Sequence, residues 1–183
     1  LYLAYQALTR PLPPIGGTGG MPEWAPEETI APTSTATEPA PAPEPTTTTP
    51  VVPTIASARQ IDPPPDGDEN EHPELVDLAI DGDPGTVWYS RTYVRADYGM
   101  KSGIGFAVTL AEPATITTVT LDVRGTGGNV EIRVTDPATP TEGEVLASGP
   151  VGPGTVFTLA APTEGQHVVA WFTLLPQTAD GSN

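Results

Sequence analysis

The clearest chemical potential in this chain lies in one turn. Leu78-Ala-Ile-Asp-Gly-Asp-Pro-Gly-Thr-Val-Trp-Tyr89 runs from an apolar segment through Asp81-Gly82-Asp83 and Pro84-Gly85 into an aromatic segment that begins at Thr86. Two carboxylates and a hydroxyl, with the carbonyls of a tight turn, are the hard oxygen donors of which Ca²⁺ takes six to eight. The same residues also make an Asx turn, in which Asp81 accepts hydrogen bonds from the backbone and no ion takes part. The turn of Asp81, Asp83 and Thr86 is therefore a candidate grip for a cation, or the anchor of a bare turn. A second acidic segment, Asp66-Gly-Asp-Glu-Asn-Glu71, starts like an EF-hand loop. Glu71 stands where that loop needs glycine, and Asp77 where it needs glutamate. It reads as a solvated acidic loop or a weak cation site.

The second candidate is aromatic and basic: Trp88, Tyr89, Arg91, Tyr93, Arg95 and Tyr98, with Lys101 close behind. Aromatic faces and planar hydrogen-bonding groups suit sugars, and a guanidinium pairs carboxylates in a fork. Arg91, Tyr93, Arg95 and Tyr98 are the candidate ligand-binding residues, while Trp88 suits a core. The competing reading has the arginines paired with the acidic loop and the tyrosines packed inside. An exposed aromatic–arginine cleft favours a glycan; buried Tyr93 and Tyr98 under a flat polar rim favour a protein-interaction or spacer module.

Catalytic signatures are missing. His72 and His167 belong to no paired motif, and the chain has no Gly-x-Ser-x-Gly, His-Glu-x-x-His or P-loop sequence. The expectation is a non-enzyme. A net charge of -16, with Lys101 as the sole lysine, argues against nucleic acid or anionic lipid as a charge partner. There is no cysteine, so neither a disulfide nor a thiolate metal site is available.

Prolines divide the chain. Of 24, 15 fall between Pro11 and Pro65. Residues 11–54 are mostly Pro, Thr, Ala, Gly and Glu, with too few large apolar side chains to offset the entropy of ordering, and predict a disordered, extended linker. Thr33–Thr37 and Thr46–Thr49 resemble O-glycosylated stalks. Leu1-Tyr-Leu-Ala-Tyr-Gln-Ala-Leu8 is too short to span a bilayer but suits the end of a membrane helix, over residues 1–10, or an ordinary chain end.

From residue 55 to residue 183 the pattern becomes that of a domain. Phe106, Val108 and Leu110, then Val119, Leu121 and Val123, then Val130, Ile132 and Val134 alternate with small or polar residues, as half-buried strands do. Residues 167–175 are apolar on both faces, which predicts a central strand. Glu112-Pro113, Gly125–Gly128, Asp136-Pro137, Gly149–Gly154 and Pro162–Gly165 read as turns. Only Pro73–Ile80 predicts a helix, with proline in its first turn. The expected fold is all-β, an antiparallel β-sandwich or jelly roll.

The opening strand Ala56–Asp62, the acidic loop, the Asp81-Gly-Asp-x-x-Thr-x-Trp88 pattern and Lys101-x-Gly-x-Gly105 together resemble the galactose-binding-like, discoidin (F5/8 type C) superfamily. Within it they are similar to extracytoplasmic domains of actinobacterial membrane proteins. The resemblance spans residues 55–176. It implies a carbohydrate-binding-like module on the extracytoplasmic face of the cell membrane, part of a larger membrane protein of peptidoglycan biosynthesis. It also implies a wall glycan or muropeptide as partner, and a structural calcium ion held by Asp81, Asp83 and Thr86. Membrane contact would come only through a preceding helix. The fold usually closes with one more strand after a loop like 177–183, so an incomplete last strand is expected.

Overall fold

The computed structural model describes residues 2–3 and 52–181. The expected linker up to residue 51, and the membrane-helix end apart from residues 2–3, lie outside the described residues. Among the described residues no helix is long and apolar enough to cross a membrane.

The fold is antiparallel and nearly all β. Its strands are β1 (Tyr2–Leu3), β2 (Ile55–Ile61), β3 (Ile104–Asp122), β4 (Gly127–Val134), β5 (Ala147–Val151) and β6 (Thr155–Leu174), with one 3-10 helix at Pro73–Ala79. The strand order is β1-β3-β6-β4-β5, and β2 pairs with β3. The helix stands where Pro73 predicts it.

Two expected turns are strand interior. Glu112-Pro113 lies within β3 and Pro162–Gly165 within β6, and the two face each other: Ala114 pairs with Gly165 and Ile116 with Thr163. The ladder shifts register between Thr109 and Ala114, and again between Ile116 and Thr118. A proline cannot donate to a ladder and is tolerated at such irregularities. Local punctuation therefore marks a bend in two continuous strands rather than a chain reversal. Close approach adds to it: a Cβ on Gly165 would lie 2.2 Å from Val134 Cγ1.

The bend lets both stretches of each long strand bury their inner faces together. Phe106, Val108, Leu110, Ile116, Val119 and Leu121 of β3 share one core with Phe157, Leu159, Val168, Ala170 and Phe172 of β6. Val130 and Ile132 of β4 and Trp88 complete its centre. The opposite face carries a smaller cluster of Ile61, Ala107, Val169 and Trp171. β6 is thus covered on both sides, which explains its unbroken apolar run. Trp171 lies opposite Gly105, and a Cβ there would come within 2.9 Å of its indole. One on Gly103 would meet the indole nitrogen at 2.8 Å and the Phe172 carbonyl oxygen at 2.5 Å. The glycines of Lys101-x-Gly-x-Gly105 exist to admit this ring.

Candidate functional site

The Asp81–Thr86 turn is tightly knit. Asp81 Oδ1 accepts the Asp83 N–H at 2.8 Å, and Asp83 Oδ1 accepts the Gly85 N–H at 2.7 Å, which are two consecutive Asx turns. Four acceptor oxygens surround the Thr86 hydroxyl: Asp81 Oδ2 at 2.8 Å and Oδ1 at 3.0 Å, the Asp83 carbonyl at 2.8 Å and the Leu78 carbonyl at 3.3 Å. A hydroxyl has one proton to give, so the turn gathers more oxygen acceptors than its own donor can serve. The described residues bring no group of three His, Cys, Asp or Glu side chains together for a metal.

The aromatic and basic candidates separate into inward and outward groups. Tyr93 and Tyr98 are half-buried and packed edge to face, ring centroids 4.9 Å apart. The Tyr98 hydroxyl donates to the Phe172 carbonyl at 2.9 Å, and burial first, then the neighbouring Tyr93 and Glu71, push its pKa above the ordinary phenol range. Arg91 and Arg95 are exposed. Arg95 pairs with Asp97 at 2.6 Å, and Arg91 Nε donates to the Asn70 carbonyl at 2.9 Å. The four residues share one loop but do not form one surface.

Beneath that loop is a buried cluster that sequence reasoning missed. Asp62 and Glu71 are 2% and 1% exposed. Between them Lys101 Nζ lies 3.0 Å from Asp62 Oδ2, 2.9 Å from Asp62 Oδ1, 3.1 Å from Glu71 Oε1 and 2.8 Å from the Tyr93 hydroxyl. The Tyr93 hydroxyl also donates to Glu71 Oε1, and Glu71 Oε2 accepts the Arg91 backbone N–H at 2.7 Å. The Glu71 carbonyl accepts Trp88 Nε1–H at 2.7 Å, and Asp62 Oδ2 accepts the Asp68 N–H at 2.9 Å. Burial disfavours the Lys101 charge, but hydrogen bonds from its ammonium to Tyr93, Asp62 and Glu71 outweigh it and hold the group above its ordinary pKa. The one available signal was Lys101 itself, the sole lysine of an acidic chain, standing just before the two glycines.

Burial, with the hydrogen bond to Glu71 next, raises the Tyr93 phenol from 10.0 to about 12. The folded state therefore keeps this proton where the unfolded state has lost it. The resulting stability is complete below pH 10 and declines as pH rises toward about 12. Ultraviolet titration should show a phenol that ionises near pH 12, and this component should be missing from Tyr93→Phe.

An open pocket of about 230 Å³ lies beside the Asp-Gly-Asp turn. Trp88, Ile104, Phe172 and Leu175 give it apolar walls, and Tyr89, Ser90, Arg124 and Thr178 line it with polar groups. Tyr89 is 55% exposed. Arg124 donates to the Gly85 carbonyl at 2.7 Å and makes no ion pair among the described residues, so its charge is held in place by neutral partners. A two-way backbone bridge between Thr126 and Gln177, at 2.9 and 3.0 Å, fixes the two loops behind it. The exposed aromatic beside an arginine is thus Tyr89 with Arg124. Arg124 stands 35 positions from Tyr89 in sequence, and only folding joins them.

No protein-family model matches the chain. Among solved structures it is similar to a protein from Bacteroides thetaiotaomicron assigned as an alpha-L-fucosidase, at 11% identity and a TM-score of 0.39. The similarity covers 68% of this chain and 25% of that one. At that level neither activity nor ligand transfers between the two proteins.

Proposed function

We propose that this chain carries a non-catalytic carbohydrate-binding module of the galactose-binding-like kind, displayed on the extracytoplasmic face of the cell membrane by a larger protein of peptidoglycan synthesis. The sequence resemblance points more finely to the outer domain of mycobacterial MviN, in which a MurJ-type lipid II flippase is joined to a cytoplasmic pseudokinase. The observation that carries the binding reading is the pocket. It offers an exposed aromatic ring, an arginine with no acidic partner among the described residues and hydroxyl groups over an apolar floor, the combination that takes up a sugar with a carboxylate. A muropeptide or wall glycan supplies both. Arg91 and Arg95, exposed on the neighbouring loop, would in this reading meet an extended chain, while Tyr93 and Tyr98 support that loop from beneath.

Co-sedimentation with purified peptidoglycan tests this reading. The chain should pellet with the insoluble glycan, and Tyr89→Ala should weaken retention roughly tenfold, the equivalent of about 1.4 kcal/mol. A chain that stays in the supernatant would defeat it.

A protein-interaction module is the second reading, favoured by one observation. Val94 and Met100 are 101% and 85% exposed on the same loop, and large exposed apolar side chains are frequent in protein contacts.

In the reading proposed here Asp81, Asp83 and Thr86 hold a structural calcium ion. The oxygens crowded around the Thr86 hydroxyl fit the donor chemistry of that ion, which would fix the turn that carries the Arg124 contact. Millimolar calcium should raise the melting temperature relative to EGTA, and Asp81→Asn should abolish the rise. Identical melting curves with and without calcium would leave the turn held by hydrogen bonds alone.

A further inference from the structure

We propose that Lys101 and Asp62 are the two halves of a self-forming isopeptide bond, with Glu71 as the proton carrier. The inference is independent of any glycan ligand. It rests on four features of the buried cluster.

The first is proximity. An atom 2.9 and 3.0 Å from the two oxygens of one carboxylate lies within roughly 3–3.5 Å of its carbon, the range of a near-attack arrangement. The second is the unequal treatment of the two Asp62 oxygens. Oδ2 accepts the Asp68 backbone N–H at 2.9 Å, a donor placed to hold negative charge on that oxygen during attack. Oδ1 is buried and accepts no aligned hydrogen bond. An unserved buried acceptor is costly, and it is the oxygen that the condensation removes.

The third feature is the base. Glu71 Oε1 is 3.1 Å from the same nitrogen, and its side chain is 1% exposed. The fourth is a route to solvent, because the Lys101 side chain is 17% exposed and the released water has a way out.

The atoms balance. The Lys101 ammonium gives one proton to Glu71. The neutral amine attacks Asp62 Cγ, and charge collects on Oδ2 opposite the Asp68 N–H. The nitrogen then loses its second proton, Glu71 returns the first, and Oδ1 departs carrying both as water. An amide N–H remains between the side chains, and Glu71 is a carboxylate as before. No oxidant, reductant or cofactor is consumed. The product ties the residue after β2 to the segment before β3 across 39 positions, in a chain that has no cysteine for a disulfide. A cross-link of that span restrains the unfolded chain as a disulfide would.

The chain's single lysine makes the test clean. The purified 183-residue protein is denatured, weighed intact, treated with an amine-acylating reagent, and digested with a protease specific for glutamate. The expected result is a mass short by one water, Lys101 unmodified by the reagent, and a branched peptide joining the Asp62 and Lys101 segments. Glu71→Gln and Asp62→Ala should each show full mass and an acylated Lys101. The wild-type result is decisive even if those variants fold poorly. Full mass with Lys101 acylated overturns the proposal. So does a water loss with Lys101 acylated, which would report cyclisation at Asp66-Gly67 or Asp81-Gly82 instead.

Discussion

Before the Lys101–Asp62 bond forms, the cluster is a buried ion pair, and replacing Lys101 with alanine is expected to cost about 3–5 kcal/mol, the range for removing one partner of such a pair, with the restraint of the cross-link lost in addition. Two carboxylates face the Lys101 nitrogen, each with its side chain 1% exposed. Without the ammonium, both would be left in a low-dielectric space with only backbone donors and one phenol. The loss should appear as a lower urea midpoint and a steeper slope, because a chain without the cross-link exposes more surface on unfolding. The charge argument makes a further demand. Adding Asp62→Asn and Glu71→Gln to Lys101→Ala should recover the part of the loss that is due to unpaired charge, because the three residues act as one unit and their effects are not additive. Failure of the triple variant to improve on the single one would show that the lysine acts by packing rather than by charge.

The second large effect is expected at Trp171, which is 2% exposed and dominates the smaller outer-face cluster. Trp171→Ala should cost about 3–5 kcal/mol, from lost burial and the cavity left behind. The ring also fixes what its neighbours can be. Gly105→Ala in the wild-type chain should cost about 1–3 kcal/mol by overpacking, since its methyl would lie 2.9 Å from the indole and 3.1 Å from Ile61 Cβ. In the Trp171→Ala background the same glycine change should become much milder. Urea unfolding of the four proteins measures this coupling directly, and strictly additive costs would refute the contact-based account.

The two clusters also show what a sequence can disclose about this fold. Alternation at Phe106–Leu110 and at Val130–Val134 is legible because side chains in a strand point to opposite faces, so a one-sided core leaves a period of two. The doubly apolar run 167–175 is legible as a central strand for the same reason. The bend at Pro113 and Gly165 is not, because proline and glycine mark local backbone geometry and a bend uses the same residues as a reversal. Likewise the Asp81–Thr86 turn could be read because its partners are adjacent. Asp62, Glu71 and Lys101 could not, because separations of 30 and 39 positions carry no periodic signal. The tyrosines of the 91–98 loop suit either a ligand or a core by residue type, and only the fold shows their hydroxyls turned to Glu71 and to the Phe172 carbonyl. Arg124 carries no local signal, because its neighbour Tyr89 lies on a different segment of the chain.

The glycan-binding reading depends on the pocket between residues 87–90 and the 175–178 segment. The most direct measurement is a nuclear magnetic resonance titration of the isotope-labelled chain with soluble muropeptides, with and without calcium. The expected result is a set of saturable shifts confined to Tyr89, Ser90, Arg124 and Thr178 and the adjoining 91–98 loop, lost in Arg124→Ala. A folded protein whose spectrum does not move at millimolar muropeptide would contradict the reading and leave the exposed Val94 and Met100 surface as the place to seek a protein partner.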